Sequence, residues 1–303
     1  CAGHPENFLV PGVECTTGPL GQGLAMAVGF AMAERHLNAQ FGDDLVDHHT
    51  WVVAGDGCLM EGINHEAVGL AGTLKLGRLN VLWDDNKITI DGDTSLSTTE
   101  DILGRYTASG WHVTSCGGHD FADIARALAE AKADPRPSLV ACRTVIGKGA
   151  PNKQGGHNVH GSPLGADEIT AAREYLGWTS APFEVPSDIL ANWRSSAQAG
   201  KDARAAWEQR AAASPQAAEL ARRMAGDLPA ETGLDAYVQS LIANPPKVAT
   251  RKSSEMALEA FTANVPEMVG GSADLTGSNN TKTKSTAPFT PESYDGRYVY
   301  YGI

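Results

Sequence analysis

The sequence lacks the features that mark several large classes of protein. No apolar run approaches the roughly 18 residues that a membrane-spanning helix needs. The cysteines are five in number, among 303 residues, and show no Cys-x-x-Cys spacing. This pattern argues against a disulfide framework or a zinc site and favours reduced thiols in the cytoplasm. With 24 Lys and Arg against 36 Asp and Glu, the chain is expected to bind neither nucleic acid nor an anionic membrane surface.

Two common phosphate-binding motifs are missing as well. No Gly-x-x-x-x-Gly-Lys-Ser/Thr loop occurs anywhere in the chain. Gly21-Gln22-Gly23 begins a dinucleotide-binding pattern, but Met26 stands where the third small residue belongs, and no predicted strand precedes it. Any phosphate site must therefore be built from other residues.

The chain has the composition of a globular protein, with 42% apolar and 20% charged residues. Short apolar runs predict buried strands, and apolar residues spaced three or four apart predict helices. Their alternation predicts an α/β fold, in which a parallel sheet has helices on both faces. Strands are expected at 51–54, 79–83, 111–116 and 138–144, and helices at 18–37, 63–74 (ended by Gly77) and 121–132.

A second α/β domain is predicted to start near residue 250. The first domain covers 1–240, and its Ala-rich, charged tail from about 187 is expected to form surface helices. A linker at 241–249 contains Asn244-Pro245-Pro246. The second domain, 250–303, is expected to have a helix at 250–264 and short strands at 267–270 and 299–303.

Both ends of the chain indicate cuts in a longer sequence. The first residue is Cys1 rather than Met, and the last predicted strand stops without a turn. We therefore expect an internal fragment that lacks both ends of its parent protein.

Two polar side chains follow neighbouring predicted strands. Asp56 follows the first strand and Asn86 the second, so both are expected at the carboxyl edge of the sheet, where open α/β sheets bind ligands. Their oxygens suit Mg²⁺ or Ca²⁺, and the carbonyl of Ile88 offers a third ligand. Amides near Gly57 would favour an anion, which together indicates a metal-bridged diphosphate site. The alternative is that Asp56 only turns the chain and caps a helix.

Longer strings around this edge resemble the transketolase family. Gly-Asp-Gly at 55–57 and Asp-Asn at 85–86 are similar to the thiamine diphosphate fingerprint. The resemblance runs from residue 3 to 303 and is strongest before 165 and after 247. The strings that carry it lie, in order, at 3–6, 16–23, 55–62, 84–92, 159–161, 249–252 and 270–276.

The resemblance implies a thiamine diphosphate-binding fold, with a pyrophosphate-binding domain at 1–240 and the start of a pyrimidine-binding domain at 250–303. It implies thiamine diphosphate and Mg²⁺ (or Ca²⁺ or Mn²⁺) as cofactors. The implied activity is the reversible transfer of a two-carbon ketol unit from a ketose phosphate, such as xylulose 5-phosphate, to an aldose phosphate, such as ribose 5-phosphate or erythrose 4-phosphate, in the pentose phosphate pathway. The implied protein is a cytoplasmic homodimer.

The resemblance also assigns roles to particular residues. The metal ligands are Asp56, Asn86 and the carbonyl of Ile88. The groups around the cofactor are Gly18, Leu20, Gly57, Asp56, Asn86, His160 and, across the dimer, Asp274. The remaining roles go to His4 and His160 as catalytic histidines facing the reacting carbons, to Arg251 and Ser278 as holders of the sugar phosphate, and to Glu61 and Glu66 as acids that link the two active sites at the dimer interface.

Seven of these residues also have a plainer explanation. Either histidine can be an ordinary surface or core residue, Arg251 a surface ion pair, Ser278 a loop turn, Asp274 a helix N-cap, and the two glutamates a solvated helix face. Two other functions stay open at this point. One is a dihydroxyacetone synthase, which is a transketolase relative. Assays that compare formaldehyde with ribose 5-phosphate as the acceptor would distinguish the two activities. The other is a non-catalytic metal–phosphate or interaction protein.

The resemblance leads to a prediction about the chain as given. Transketolases need a carboxylate on the aminopyrimidine, and it lies in an Arg-Glu-His string directly after the counterpart of Tyr301-Gly302-Ile303. The present sequence stops at Ile303. We therefore expect the purified 303-residue chain to show no ketol transfer in a standard assay, and robust turnover would contradict this expectation.

Overall fold

The computed structural model describes residues 3–303, which fall into two compact units. The first unit comprises residues up to Ala31 together with His49–Arg204, and the second comprises Met32–His48 together with Ala205–Ile303. The helices and strands, in chain order, are α1 (Gln22–Phe41), β1 (Thr50–Gly55), α2 (Asp56–Met60), α3 (Gly62–Thr73), β2 (Leu79–Asp85), α4 (Ile102–Ala108), β3 (His112–Gly117), α5 (Phe121–Ala133), β4 (Ser138–Arg143), α6 (Ala166–Tyr175), α7 (Ser187–Ala213), α8 (Ala217–Met224), α9 (Leu234–Ala243), α10 (Thr250–Thr262), β5 (Gly270–Ala273), α11 (Thr276–Asn279) and β6 (Tyr298–Tyr301).

The first unit is built on a four-stranded sheet in the order β1-β2-β4-β3, and every pair in it is parallel. The predicted α/β class with a parallel sheet is therefore confirmed. The four strands lie within two residues of their predicted positions. Strands β2 and β4 are buried over their first halves, with Leu79, Val81 and Leu139 fully inaccessible to solvent. Such burial on both sides explains why these segments are continuous apolar runs.

Helix α1 begins later than predicted. The sequence suggests a start at residue 18, but the helix begins at Gln22, because Gly18 and Gly21 have φ values of 135° and 78°. These values are open to glycine and unfavourable for other residues. The expected inward face is correct, since Leu24, Val28 and Ala31 are buried.

Two details of α3 differ from the prediction. The helix ends at Thr73, and Leu74 is its C-cap residue, so Gly77 is not the cap. A Cβ on Gly77 would lie 2.4 Å from the carbonyl oxygen of Pro135, so this glycine serves a close backbone approach instead. Ile63, predicted to point inward, is 43% exposed; the buried face of α3 contains Asn64, Ala67, Val68 and Ala71.

The second unit contains a small parallel sheet of β5 and β6. The prediction placed β5 at 267–270, whereas the strand is Gly270–Ala273. Pairing with the aromatic strand Tyr298–Tyr301 therefore outweighs the weak intrinsic β-propensity of Gly-Gly-Ser-Ala. Helix α9 runs to Ala243, so the first residues of the expected linker are helical. Surface helices after residue 187 are present as α7 and α8.

The described residues include four of the five cysteines. Cys15, Cys58, Cys116 and Cys142 are free thiols, and Cys1 lies outside the described residues. Within residues 3–303, no helix is both long and apolar enough to cross a membrane.

Two glycines of α3 provide a test of the packing. A Cβ on Gly72 would lie 1.8 Å from the carbonyl oxygen of Ser109, whereas a Cβ on Gly69 would meet nothing within 4 Å. Gly72→Ala should therefore destabilise the protein by at least about 1–3 kcal/mol through overpacking. Gly69→Ala, in the same helix, should stabilise it by up to ~1 kcal/mol. Thermal denaturation of both variants checks this, and equal melting temperatures would contradict it.

Candidate functional site

The carboxyl ends of β1 and β2 meet at one edge of the first unit's sheet. The strands are parallel, and Gly55 is the register partner of Asp84. Asp56 therefore comes directly after the end of β1 at the level where Asp85 ends β2, and Asn86 follows one residue later. This register brings the backbone of the predicted acid and amide to the same edge of the sheet.

The carboxylate of Asp56 is buried and only half satisfied. Its side chain belongs to a residue that is 7% exposed, and Oδ1 accepts a hydrogen bond of 3.3 Å from the indole Nε1 of Trp83. Oδ2 is buried and has no hydrogen-bond partner among the described residues. Asp56 is the first residue of α2, whose N-cap residue is Gly55 without a side-chain cap. The alternative of a helix-capping aspartate is therefore wrong.

Burial raises the pKa of Asp56, and the nearby negative charge of Asp85 raises it further. The ammonium group of Lys87, the indole of Trp83 and the backbone amide of Lys87 act in the opposite direction. The carboxylate is thus held in an environment that disfavours its charge, and a cation beside Oδ2 would remove this penalty.

The loop after β2 offers two further oxygens. Oδ1 of Asn86 accepts the backbone N–H of Ile88 at 2.9 Å, and Nδ2 donates to Asp84 Oδ2 at 3.1 Å. An amide oxygen has two lone pairs, so Oδ1 keeps one for another ligand. Ile88 forms a bridge with Asp93 whose hydrogen bonds use the carbonyl of Lys87 and the N–H of Thr89. The carbonyl of Ile88 is therefore outside this bridge.

The two aspartates that end β2 have partners for their carboxylates. Asp84 accepts a hydrogen bond from the hydroxyl of Thr144. Asp85 forms an ion pair of 2.8 Å with Lys87, and its carbonyl accepts a bond of 2.9 Å from Arg143. Asp84 and Asp85 therefore both have partners, whereas Asp56 has a buried oxygen without a hydrogen bond.

Three close contacts involve the glycine-containing loop before α1. A Cβ on Gly18 would lie 2.7 Å from the ring of His4, and a Cβ on Gly57 would lie 3.2 Å from Leu20. A Cβ on Gly21 would lie 2.8 Å from that of Glu61. Leu20 and Gly21 of this loop therefore lie against Gly57 and Glu61, and His4 lies against Gly18 in the same loop. Leu20 remains 53% exposed.

His160 and Glu66 are not joined to this cluster by any contact that the described residues show. His160 is exposed at the end of a single 3-10 turn, His157–Val159. Glu66 lies on the exposed side of α3, and Glu61 is the exposed N-cap residue of that helix, without a side-chain cap bond. Their predicted roles stay predictions.

In the second unit, the structure brings Arg251 and Ser278 together. Nη1 of Arg251, near the start of α10, donates to the backbone carbonyl of Ser278 at 3.2 Å. Both residues are exposed, and Ser278 lies within α11. Asp274 is exposed with a φ of 59°, and the N-cap residue of α11 is Leu275. Asp274 is therefore not a helix cap, and a left-handed non-glycine residue of this kind is more common at functional sites.

The residues at the sheet edge fit a hard divalent cation. Within residues 3–303 no group of three or more His, Cys, Asp and Glu could hold a metal ion, so a zinc-like site is absent there. One carboxylate, one amide oxygen and one backbone carbonyl form an all-oxygen set, which suits Mg²⁺ or Ca²⁺ and leaves positions for further oxygens. The unpartnered Oδ2 of Asp56 supports this fit.

Trp83 belongs to this site, although the sequence alone does not indicate it. In the sequence it is part of the apolar run of β2, which suggests no role for its polar N–H. A tryptophan in a buried strand usually needs an acceptor for that N–H, and this requirement could have directed attention to the acid at the end of the neighbouring strand.

Comparison with known proteins covers the whole chain. Residues 1–229 match the family model "Transketolase, thiamine diphosphate binding domain", and residues 246–303 match "Transketolase, pyrimidine binding domain". A transketolase of Cereibacter sphaeroides is 58% identical over 303 residues, which are 100% of this chain and 46% of the relative. Transketolase 1 of Vibrio cholerae is 51% identical over 99% of this chain and 47% of its own length.

Solved structures agree. A transketolase from Pichia stipitis in complex with sedoheptulose 7-phosphate is 42% identical and has a TM-score of 0.91, over 99% of this chain and 47% of that one. A transketolase from Leishmania mexicana has the same identity and a TM-score of 0.90, over 99% of this chain and 46% of its own. The chain therefore spans about half the length of these relatives.

The raised pKa of Asp56 yields a stability test in the absence of metal. A raised carboxyl pKa means that the native state binds the proton more tightly than the unfolded chain does. The folded protein therefore becomes less stable as the pH rises from 3.8, the ordinary pKa of aspartate, through the raised pKa of Asp56. In EDTA at neutral pH, Asp56→Asn should therefore raise the melting temperature, by about 2–4 °C for each ~1 kcal/mol relieved.

The difference between Asp56→Asn and the wild type should shrink as the pH is lowered toward 4. Asp91→Asn, at an exposed position in the loop after β2, should leave the melting temperature unchanged across this range. If the wild type is more stable than Asp56→Asn in EDTA, the ionised carboxylate of Asp56 does not destabilise the metal-free protein, and this prediction is wrong.

Proposed function

Because this chain belongs to the transketolase family, we propose that the carboxyl edge of its four-stranded sheet holds the diphosphate of thiamine diphosphate through a divalent metal ion. The observation that supports this most directly is the buried, unpartnered Oδ2 of Asp56 beside the loop of Asn86 and Ile88. Mg²⁺ is the metal that we propose, with Ca²⁺ or Mn²⁺ as substitutes, since all three accept oxygen ligands.

In this proposal the metal is held by Oδ2 of Asp56, Oδ1 of Asn86 and the carbonyl of Ile88. Metal binding need not break the hydrogen bonds that these residues make. Asn86 can still accept the hydrogen bond from the N–H of Ile88, and Asp56 can still accept the one from Trp83. The remaining ligand positions would be taken by oxygens of the diphosphate. Binding would also relieve the charge penalty on Asp56.

The loop before α1 would form the wall against which the cofactor packs. Gly57 leaves room at the start of α2 for the side chain of Leu20, which is in turn half exposed and available to the cofactor's rings. Gly18 has a backbone conformation and a close His4 neighbour that exclude a larger residue. We propose that backbone at Gly18 and the side chain of Leu20 contact the cofactor.

The proposed reaction is reversible transfer of a two-carbon ketol unit from a ketose phosphate to an aldose phosphate, as in the pentose phosphate pathway. Relatives from Pichia stipitis have been solved with fructose 6-phosphate, xylulose 5-phosphate and sedoheptulose 7-phosphate. Bound thiamine diphosphate supplies the electron sink that allows the carbon–carbon bond beside the ketone to break.

The protein side chains would then bind and move protons. His4 and His160 would exchange protons with the substrate's hydroxyl and carbonyl oxygens, the role for which imidazole is best suited near neutral pH. Arg251 and the hydroxyl of Ser278 would hold the sugar phosphate, since a guanidinium forks two bonds to a phosphate. Their proximity in the second unit supports this pairing.

The proposal extends to the whole protein. We propose a homodimer in which Asp274 contacts the cofactor and Glu61 and Glu66 link the two active sites. A cytoplasmic location is supported by the four free thiols in the described part of the chain.

The metal role predicts the effect of removing the acid. In the intact protein, Asp56→Ala should abolish Mg²⁺-dependent binding of thiamine diphosphate and, with it, ketol transfer, because the metal loses its one charged protein ligand. Isothermal titration of thiamine diphosphate, with Mg²⁺ or with EDTA, measures the first effect directly. Asp91→Ala, at an exposed position in the loop after β2, should keep the wild-type affinity. Unchanged Mg²⁺-dependent affinity in Asp56→Ala would reject the proposed site.

A further inference from the structure

A buried indole lies directly beside the proposed metal-binding carboxylate. Trp83 is 3% exposed and lies on β2, where its register partner on β1 is Ala54, two residues before Asp56. Its Nε1 donates to Oδ1 of Asp56 at 3.3 Å. We propose that Trp83 is a positioning residue, which holds Oδ1 so that Oδ2 faces the metal ion. The inference rests on the function proposed above.

The need for such a residue follows from the freedom of an aspartate side chain. The torsion that turns a carboxylate about its Cβ–Cγ bond has a broad, shallow energy profile. A carboxylate without a fixed neighbour would therefore present its oxygens to the metal in many orientations. Beside the backbone amide of Lys87, the indole N–H is the side-chain donor that the structure gives this carboxylate. It engages Oδ1 and leaves Oδ2 without a partner.

The donor itself is held firmly. Strand β2 is paired on both sides, with β1 and with β4, and Trp83 stands opposite Ala54 and Ala141 in the two ladders. The ammonium group of Lys87 lies 4.7 Å from the centre of the ring and is tied to Asp85 by the ion pair of 2.8 Å. A donor on a central, buried strand with a second contact on its ring cannot follow the carboxylate if it rotates.

The chemistry of the indole also suits the task. Its N–H only donates, so it cannot become a metal ligand. It carries no charge, so it orients the carboxylate without neutralising it. A lysine or arginine at the same place would form an ion pair with Asp56 and compete with the cation. Outer groups of this kind commonly change metal affinity when they are removed.

The test uses Mn²⁺ binding by the intact protein in the presence of thiamine diphosphate, measured from the electron paramagnetic resonance signal of free Mn²⁺. Trp83→Phe removes the N–H and should weaken Mn²⁺ binding by about 10- to 100-fold. Trp111→Phe is the matched control, since Trp111 is 1% exposed and donates its N–H to the carbonyl of Val68 at 2.9 Å. It should lose thermal stability but keep wild-type Mn²⁺ affinity.

A second substitution covers the case in which Trp83→Phe does not fold. Replacing Trp83 by 3-benzothienylalanine exchanges the N–H for sulfur and keeps the shape of the ring, so it should fold and show the same loss of affinity. Mn²⁺ affinity that stays at the wild-type level in this protein would overturn the positioning role.

Asp56→Ala separates this inference from the proposed function. If Asp56→Ala abolishes Mn²⁺ binding while the loss of the indole N–H has no effect, the positioning role is wrong and the metal site stands. If Asp56→Ala also leaves Mn²⁺ binding unchanged, the metal site is wrong, and the positioning role falls with it.

Discussion

The parallel pairing of β1 with β2 is the constraint on which the candidate site depends. With Gly55 opposite Asp84, the chain leaves both strands at the same level, and Asp56 meets the segment that contains Asn86. The strands are held there by burial, because Leu79 and Val81 are fully inaccessible. A shift of one residue in this register would move the side chains of β1 to the opposite face of the sheet, and Asp56 would no longer lie level with Asp85. The apolar strands thus determine the geometry of the polar site.

The site shows a local conflict that a folded protein tolerates only for a reason. A buried carboxylate with one unmatched oxygen lowers the stability of the protein without its ligand, and the raised pKa of Asp56 expresses this cost. The neighbouring acids are matched by Thr144, Lys87 and Arg143. The contrast between acids with and without partners supports the proposed cation site over a merely acidic loop.

The glycines around the site divide into two kinds. Gly18 and Gly21 adopt positive φ values and shape the loop that precedes α1. Gly72 and Gly77 instead allow another part of the backbone to approach, at distances that a Cβ would not permit. A glycine after a helical pattern is usually a helix cap, which is why the sequence predicts that role for Gly77. Its contact with Pro135 cannot be predicted from the sequence, because the two residues are distant in the chain and close only in the folded structure.

The sequence by itself determined the α/β class, the positions of the four strands of the first sheet and the identity of the residues at its carboxyl edge, because hydrophobic periodicity and short motifs are local properties. It also pointed to the transketolase family, to which the chain belongs. Only the tertiary structure decided that α1 starts at Gln22, that β5 lies at Gly270–Ala273 and that Ile63 is exposed. It alone showed which oxygen of Asp56 is engaged by Trp83, because that depends on contacts between strands, which no local pattern of residues specifies.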